Sequence, residues 1–370
     1  MAVTQLFVGV MSGSSLDGID VALVEFNKSD CKVAATHFLA YPPSIKETLL
    51  SLHLPIENEL ALTAITANQL ARLYAKAVNT LLDKSGLKSD QITAIGCHGQ
   101  TIRHCPRELD DIGYTIQIGN NALLAELTNI TVVGDFRSRD IAAGGQGAPL
   151  VPAFHQAVFS STDKNRAIVN IGGIANITYL TKTGEVFGFD SGPGNMLLDS
   201  WVKQHLNKDY DTNGEWAASG TLLENLLADM LAEPYFSASP PKSTGRDLFN
   251  DSWLKQHLAS SQYRPQDIAR TLVALTAHTL HQAINQYCPA VDEVYLCGGG
   301  AHNNLLIGNL RKLLITTPVA NTDVLGVNVD WVEAAAFAWL AKQTLEKNPG
   351  NLPIVTGAKA PRILGAIFPH

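Results

Sequence analysis

The stretch that most constrains the fold of this chain is Phe7–Val24, which reads FVGVMSGSSLDGIDVALV. Two short apolar runs flank a polar turn, and this pattern predicts a strand over Phe7–Val10, a tight loop, and a returning strand over Ile19–Val24. Glycines in the loop let a ligand approach the backbone closely, and serine hydroxyls and free N–H groups can donate to phosphate oxygens. Asp17 in the same loop could hold Mg²⁺, directly or through water.

This loop differs from a Walker-type phosphate loop, because that motif needs a lysine and no Lys or Arg occurs between Met1 and Asn27. Two interpretations are therefore open from the residues alone. Either the loop binds phosphate, or it is a hairpin turn that is rich in Gly and Ser for steric reasons.

Length, composition and charge bound the class of protein. A chain of 370 residues favours two domains over one core. With 46% hydrophobic and 16% charged residues, the composition is typical of a globular enzyme. The 27 basic and 34 acidic side chains give a net charge of -7 without a basic block, so we expect no nucleic-acid partner.

The apolar segments and cysteines indicate the compartment. The N-terminus has no signal-peptide pattern, and no apolar run reaches about 18 residues, so we expect no membrane partner. The five cysteines include no C-x-x-C pair, which favours a reduced, cytoplasmic setting. The pairs Cys97–His98 and His104–Cys105 lack the spacing of a structural zinc site, and Cys97 is expected to end a buried strand.

Apolar periodicity predicts alternating strands and helices, which is typical of an α/β protein. The predicted helices are 58–83, 121–127, 196–205, 222–231, 268–287 and 331–345. The predicted strands after the opening hairpin are 31–40, 92–97, 114–118, 131–135, 166–170, 175–180, 186–189 and 293–297, and the tail from 352 reads as a closing loop and strand.

Polar residues follow the strand that ends at Cys97. His98, Gln100 and Arg103 are hydrogen-bonding groups, and ligands of α/β proteins bind beyond the carboxyl ends of strands. We favour a binding site here over a solvated strand end.

Two arginines and a glycine-rich run follow the strand 131–135. Arg137 and Arg139 could clamp a carboxylate bidentately, or they could form structural pairs with Asp135 or Asp140. The run Ala142–Gly147 is expected to be a hinge between two lobes.

The second half of the chain repeats the opening pattern. Arg166–Asn170 predicts a strand, Gly172 and Gly173 a turn, and Ala175–Leu180 a returning strand. Two such hairpins, one in each half, predict a duplicated fold with two turns that face phosphate.

Two acidic residues are candidates for proton transfer. Asp190 begins the turn Asp190–Asn195, and a carboxylate at a strand end facing a glycine turn is well placed as a general base. The alternative is a turn or N-cap aspartate. Glu333 lies on the first turn of the helix 331–345, where it could simply complement the helix dipole.

Two further segments have open roles. Tyr235–Arg246 is rich in Pro and Ser and carries Lys242, and it could be a mobile lid or a plain connector. Gly298–Gly300 follow a buried strand and would let the backbone pass close under a flat ring or a phosphate.

Seven stretches together resemble one family. They read GVMSGSSLDGIDVAL, GCHGQTIRH, DFRSRDIAAGGQGAPLVPAFH, NIGGIAN, GFDSGPGN, PKSTGRDLFN and CGGGAHN. In this order they are similar to the anhydro-N-acetylmuramic acid kinase family, and seven motifs in sequence are far more specific than one. Ser14 and Ser191 stand where the family pattern has Thr, and both keep the hydroxyl.

The resemblance implies an α/β fold of two actin-like, ribonuclease H-like lobes, with a duplicated strand-turn-strand core and a central cleft for ATP and sugar. The lobes would be residues 1–140 with the tail 346–370, and residues 141–345. ATP and Mg²⁺ would be the cofactors, a sugar the small-molecule partner, and a homodimer the assembly.

The resemblance also implies the site residues. The first phosphate turn would comprise Gly13, Ser14, Ser15, Leu16, Asp17, Gly18, Ile19 and Asp20, the second Gly172 and Gly173, and Gly298, Gly299 and Gly300 would lie by the adenosine. His98, Gln100, Arg137 and Asn195 would bind substrate, and Arg137 and Arg139 could contact either phosphate or the lactyl carboxylate.

The implied reaction opens 1,6-anhydro-N-acetylmuramic acid. Water attacks C1 while O6 leaves and takes the γ-phosphoryl group of ATP, which gives N-acetylmuramic acid 6-phosphate and ADP for peptidoglycan recycling and amino-sugar catabolism. Asp190 would be the base, and Glu333 would orient the water or the sugar. An acid at O6 is unnecessary, unlike in an inverting glycosidase, because the phosphoryl group takes the place of the proton.

Two alternatives stay open. An ordinary hydroxyl sugar kinase of the same fold would also phosphorylate free N-acetylmuramic acid. An actin-like, protein-binding ATPase would respond to unfolded peptide and be indifferent to sugars.

Overall fold

The structure is a computed structural model of the chain, and it describes residues 5–13, 15–27, 30–106, 111–240, 242–246, 248–258 and 262–370. Contacts between residues divide the chain into two compact units. Unit 1 comprises Met1–Val158 and Trp331–His370, and unit 2 comprises Phe159–Asp330. The sequence predicted boundaries after residues 140 and 345, whereas the units of the structure meet after Val158 and after Asp330. The difference arises because residues 141–158 and the helix before 345 belong to unit 1.

Unit 1 contains eight of the strands that the structure describes. They are β1 Gln5–Met11, β2 Gly18–Asn27, β3 Asp30–Ala40, β4 Ala94–Cys97, β5 Gln100–Cys105, β6 Tyr114–Ile118, β7 Val132–Gly134 and β13 Ala366–Phe368. A six-stranded sheet has the order β13-β7-β4-β1-β2-β3, and β5 pairs with β6 in a separate hairpin. In the large sheet β1, β2 and β3 form an antiparallel meander, whereas β4 and β7 extend it in parallel from β1.

The helices of unit 1 are α1 Pro43–Ser51, α2 Glu59–Ser85, α3 Asn121–Thr128, α4 Ser138–Ala142, α5 Val151–Phe159, which ends one residue into unit 2, α13 Val332–Leu345 and α14 Pro353–Thr356. The apolar face of α2 packs with Val8 and Val10 of β1 in one core cluster. The residue between them, Gly9, lies against α13, where a methyl group would stand 1.8 Å from the Ala334 carbonyl oxygen. Since successive side chains of a strand alternate, α2 and α13 cover opposite faces of the sheet.

Unit 2 repeats this topology. Its strands are β8 Arg166–Ile171, β9 Ile174–Leu180, β10 Val186–Pro193, β11 Glu293–Cys297 and β12 Val319–Asn321. The sheet order is β10-β9-β8-β11-β12, with an antiparallel meander β8-β9-β10 and parallel additions β11 and β12. The predicted α/β fold with a duplicated strand-turn-strand core is therefore confirmed, and this repeat is the arrangement that an actin-like fold implies.

The helices of unit 2 are α6 Met196–Leu206, α7 Glu215–Ala218, α8 Glu224–Leu231, α9 Pro234–Ser237, α10 Asp251–Leu258, α11 Pro265–Tyr287 and α12 Asn304–Leu313. A second core cluster joins side chains of α6, α8, α10 and α11. No helix within the described ranges is long and apolar enough to cross a membrane.

Most predicted elements are confirmed, and two segments contain elements that the residue pattern did not predict. In the polar stretch after Cys97, Gln100–Cys105 forms the strand β5, with Gln100 and Ile102 buried. The segment Tyr235–Arg246, expected to lack regular structure, includes part of the short helix α9.

Candidate active site

The first glycine loop connects β1 and β2. Leu16 adopts a left-handed conformation with φ 56°, and its N–H donates to the Gly13 carbonyl oxygen at 3.4 Å. The Ser15 hydroxyl donates to Oδ1 of Asp17 at 2.7 Å. Ser14, predicted to contact phosphate, lies outside the described residues.

The residues predicted for this phosphate turn divide into two groups. The side chains of Leu16 and Ile19 are buried in the core, and a methyl group at Gly18 would stand 2.5 Å from the Leu39 carbonyl oxygen. These residues could meet a ligand only through their backbone atoms. Asp17, by contrast, is exposed, and Asp20 is partly buried.

Asp17 suits one kind of metal site. No group of three or more His, Cys, Asp or Glu side chains within the described ranges could hold a metal ion. Mg²⁺ that accompanies a nucleotide is held by one or two carboxylates together with phosphate oxygens and water. A single exposed carboxylate in a glycine- and serine-rich turn fits that donor set.

In unit 2, three segments predicted to bind ligands come together around Asn195. The hairpin between β8 and β9 turns at Gly172–Gly173, and the Gly172 carbonyl oxygen accepts from the N–H of Asn195 at 2.8 Å. The Asn195 amide donates to the Ile171 carbonyl oxygen at 3.3 Å. A methyl group at Gly300 would stand 3.2 Å from Oδ1 of Asn195. Asn195 thus lies with the predicted nucleotide residues, which favours nucleotide contact over the predicted sugar contact.

Four of the predicted phosphate and adenosine glycines have room for a side chain. The nearest atom to an added methyl group would be 3.6 Å away at Gly13 and Gly172, and 3.7 Å away at Gly173 and Gly299. The protein's own packing therefore does not require glycine there, whereas close approach of a ligand would. Gly298 differs, because its φ of 79° and its crowded neighbours require glycine in any case.

Asp190 is held by three hydrogen bonds from one segment of unit 2. It lies in β10, next to an irregularity in the pairing with β9. Its N–H donates to the Lys242 carbonyl oxygen at 3.1 Å, and its carbonyl oxygen accepts from the Tyr235 hydroxyl at 2.8 Å. Its carboxylate Oδ2 accepts from the N–H of Thr244 at 3.1 Å.

The chemistry of Asp190 suits a base. Burial raises the pKa of its carboxyl group to about 6, although the N–H of Thr244 opposes that rise. The other carboxylate oxygen, Oδ1, accepts no hydrogen bond from any described residue. The N-cap alternative is wrong, because Asn195 occupies the N-cap of α6.

In unit 1, the buried side chain of His98 is paired with the half-buried Arg137. Nε and Nη2 of Arg137 contact Nε2 of His98 at 3.1 and 2.9 Å, and Nη1 donates to the Gly147 carbonyl oxygen at 2.8 Å. Burial, together with the charge of Arg137, lowers the pKa of His98 to about 3. Because the Nε–Nη2 edge of Arg137 is occupied by His98, the predicted bidentate clamp on a ligand carboxylate is not available from that edge.

Glu333 lies near this pair, on the first turn of α13. Burial raises the pKa of its carboxyl group, and the charge of Arg137 opposes the rise. No described residue donates a hydrogen bond to this carboxylate. Glu333 therefore lies close enough to Arg137 for the two charges to interact, in addition to its place on the first turn of the helix.

Two other candidates have structural partners. Gln100 is fully buried, its amide donates to the Gly13 carbonyl oxygen at 3.1 Å, and its Oε1 accepts from Tyr41 at 3.4 Å. This placement favours a role in positioning the first glycine loop over direct sugar contact. Arg103 is paired with Glu59 at 2.7 Å and is not part of the site.

Residue patterns alone missed the role of Asp140, which is fully buried. Its Oδ2 accepts from the N–H of Gly147 at 2.7 Å, and its Oδ1 accepts from Asn351 at 2.5 Å and Thr356 at 2.8 Å. The run Ala142–Gly147, expected to be a hinge, is therefore attached to a buried carboxylate by the N–H of Gly147. The available signal in the sequence was that Asp140 directly precedes the glycine-rich run that contains Gly144, Gly145 and Gly147.

Comparisons with known proteins find similarity over nearly the whole chain. A family model described as anhydro-N-acetylmuramic acid kinase matches residues 5–370. Proteins of that name from Nitrosomonas europaea and Nitrosospira multiformis are 54% and 52% identical over 363 residues, covering 98% of this chain and 99% and 98% of theirs. Among solved structures, the activator of the 2-hydroxyisocaproyl-CoA dehydratase from Clostridium difficile with bound ADPNP is 13% identical to this chain. The match covers 93% of this chain and 97% of that chain with a TM-score of 0.47, and so distant a likeness does not bear on the site.

Proposed function

The chain belongs to the anhydro-N-acetylmuramic acid kinase family, and from that premise we propose that it hydrolyses the 1,6-anhydro bridge of its sugar while it phosphorylates O6. The protein is an enzyme, a kinase that uses ATP and a sugar. The hydrolytic step and the residue roles given below are our proposal.

The observation that carries the proposal is the state of Asp190. A half-buried carboxylate with a pKa near 6 and one free oxygen is ionised at neutral pH and can accept a proton. In the proposed step Asp190 takes a proton from water, the water oxygen bonds to C1, and the C1–O6 bond breaks. The electron pair released on O6 forms the bond to the γ-phosphorus, and ADP leaves.

The glycines of the two turns and of the run Gly298–Gly300 support the nucleotide site. Gly13, Gly172, Gly173 and Gly299 are positions where the protein tolerates a methyl group and a closely approaching phosphate or ring would not. Phosphoryl transfer needs positioning and neutralisation of charge more than covalent chemistry, and backbone N–H groups in such turns supply both.

Asp17 would hold the magnesium ion, directly or through water. When bound, Mg²⁺ would neutralise the phosphate oxygens during transfer. The Ser15 hydroxyl, which donates to Asp17, would keep that carboxylate oriented.

Arg137 and Glu333 are proposed to act on the substrate, and His98 is proposed to position Arg137. Neutral His98 keeps both ring nitrogens bonded inside the protein, so its role is to fix Arg137. One hydrogen each on Nη1 and Nη2 of Arg137 stays available to an anionic group, which could be a phosphate or the lactyl carboxylate. Glu333 is proposed to orient the water or the sugar.

We further propose a cytoplasmic homodimer. The five free thiols support a reducing compartment. Unit 1 exposes large apolar side chains, among them Leu54, Leu60 and Ile65, and their exposure supports contact with a second copy.

One incubation tests the reaction. The enzyme receives ATP, Mg²⁺ and the anhydro sugar in ¹⁸O-labelled water, and early products are read by mass spectrometry. A phosphorylated sugar with one ¹⁸O at C1 is expected. A phosphorylated sugar without early label at C1 would indicate an ordinary hydroxyl kinase, and ADP without any sugar product would indicate an ATPase.

A further inference from the structure

The segment that contacts Asp190 is itself tied down by Lys242. The ammonium group of Lys242 donates to the carbonyl oxygens of Tyr235 and Phe236, both at 3.2 Å. It also lies 4.8 Å from the ring centre of Tyr235 and 5.9 Å from that of Tyr287. An ammonium ion between two aromatic faces and two carbonyl groups is a specific anchor, and it joins the residues on both sides of position 241.

Each end of this anchored segment contacts Asp190. Tyr235 donates to the Asp190 carbonyl oxygen, the Lys242 carbonyl oxygen accepts from the Asp190 N–H, and Thr244 donates its N–H to the carboxylate. The Thr244 hydroxyl is buried and has no hydrogen-bond partner in the described chain, so the contact with the carboxylate is made by the backbone.

We infer that Lys242 is a positioning residue for Asp190, and that it holds Thr244 where its N–H meets the carboxylate. The inference rests on the proposed function for its importance to turnover, but not for its geometry. Tyr235–Arg246 was interpreted as a mobile lid or a plain connector. Three hydrogen bonds between this segment and Asp190 favour a third role, a clamp on the candidate base.

The charged and titratable groups around Asp190 are few. The elements that pack most extensively against β10 are β9, α9 and α11. The residue opposite Asp190 on β9 is Asn176, which is uncharged, and the titratable residue of β9 is Tyr179, which pairs with Phe187; α9 contributes Tyr235. The titratable side chains of α11 are Asp267, Arg270, His278, His281 and Tyr287, and none of them contributes to the shift in the pKa of Asp190.

The physical consequence is a defined change in proton affinity. A hydrogen bond from an N–H to a carboxylate favours the ionised form, so its loss raises the pKa of the acid. Replacing Lys242 by Met keeps the length and the apolar stem but removes the charge and all donors. In K242M the Asp190 carboxyl is therefore expected to titrate about one pH unit higher than in the wild type.

The test measures that titration directly. Protein with ¹³C-labelled aspartate carboxyl groups is titrated by NMR, and the Asp190 signal is assigned by its loss in Asp190→Asn. The wild type is expected to titrate near 6, K242M about one unit higher, and K242R, which keeps donors and the cation, near the wild type. Equal titration of K242M and the wild type would overturn the inference.

A second variant covers the case in which K242M does not fold. Y235F keeps the aromatic face under Lys242 but loses the hydroxyl that donates to the Asp190 carbonyl oxygen, so a smaller upward shift is expected, and no shift would count against the clamp. The NMR readout needs no turnover, so a negative ¹⁸O experiment would count against the proposed function and leave this inference intact.

Discussion

Both Nε and Nη2 of Arg137 point at a single atom, Nε2 of His98, at 3.1 and 2.9 Å, while Nδ1 of His98 lies 3.3 Å from the Ser12 carbonyl oxygen. A carbonyl oxygen can only accept, so Nδ1 carries the hydrogen and Nε2 is the acceptor. His98 is therefore neutral, and protonating it would set two cations against each other in a buried place.

The first prediction concerns stability against acid. The pKa of His98 is lowered to about 3 in the folded protein, so below its ordinary value of 6.5 the unfolded chain takes up a proton that the folded chain refuses. The contribution of neutral His98 to stability is thus fully present above pH 6.5 and is lost as the pH decreases towards 3. Urea unfolding at several pH values should show a smaller decline for His98→Gln, whereas the exposed control His205→Gln should follow the wild type. An identical decline in both variants would contradict this account.

The second prediction concerns the base. Asp190→Asn removes the proton acceptor but keeps size and hydrogen bonding, so turnover should fall by about 10²–10⁴-fold. Sugar binding, measured by calorimetry, should be nearly unchanged. The exposed Asp163→Asn is the matched control, and near-normal turnover of Asp190→Asn would reject the assignment.

The third prediction concerns the pH profile. Asp190 must be ionised to accept a proton, and its pKa is raised to about 6. The rate of the wild type should therefore be lost as the pH falls through about 6 and be restored above it. A profile that stays flat down to pH 5 would mean that Asp190 is not the titrating group.

The fourth prediction concerns the glycine turns of unit 2. Gly172→Ala, Gly173→Ala and Gly299→Ala should keep the melting temperature, since the added methyl group has room. Their ATP affinity should fall by about tenfold or more, a loss of about 1.4 kcal/mol, because the ligand needs that space. Gly308→Ala, in α12 and with no atom within 4 Å, is the control and should keep ATP affinity. Unchanged ATP affinity in all three variants would exclude a close approach of nucleotide.

The fifth prediction concerns Asp140. Asp140→Asn replaces an oxygen that accepts hydrogen bonds by a donor, and leaves at least one of Gly147, Asn351 and Thr356 without a partner in a buried place. We expect a loss of about 2–4 kcal/mol in the free energy of unfolding by urea. A loss within 0.5 kcal/mol, about that expected for the surface change Asp163→Asn, would show that the buried network is not needed.

Much of the fold could be predicted from local patterns. The opening stretch Phe7–Val24 and its counterpart Arg166–Leu180 specify strand, glycine turn and strand through residues that are neighbours in the chain, and both became antiparallel pairs. The helix at Glu59–Ser85 was equally predictable, because its apolar residues recur at helical spacing.

The candidate site was only partly predictable. Motif order identified Asp190, Glu333 and the glycine turns as candidates, but it could not assign their partners. Gln100 had the appearance of a ligand-binding residue and is bonded to Gly13, which lies 87 positions earlier. Arg137 had the appearance of a free clamp and is turned towards His98.

Sequence by itself determined the duplicated strand-turn-strand core and the membership of this chain in its family, because both depend on residue types at short, ordered spacings. Only the tertiary structure decided which polar groups form hydrogen bonds within the protein and which are available to a ligand. The clamp of Lys242 and Thr244 joins Asp190 to residues 52 and 54 positions away, and Asp140 accepts hydrogen bonds from Asn351 and Thr356, which are 211 and 216 positions away. Burial and hydrogen bonding at such distances depend on how the elements pack, and no local pattern carries that information.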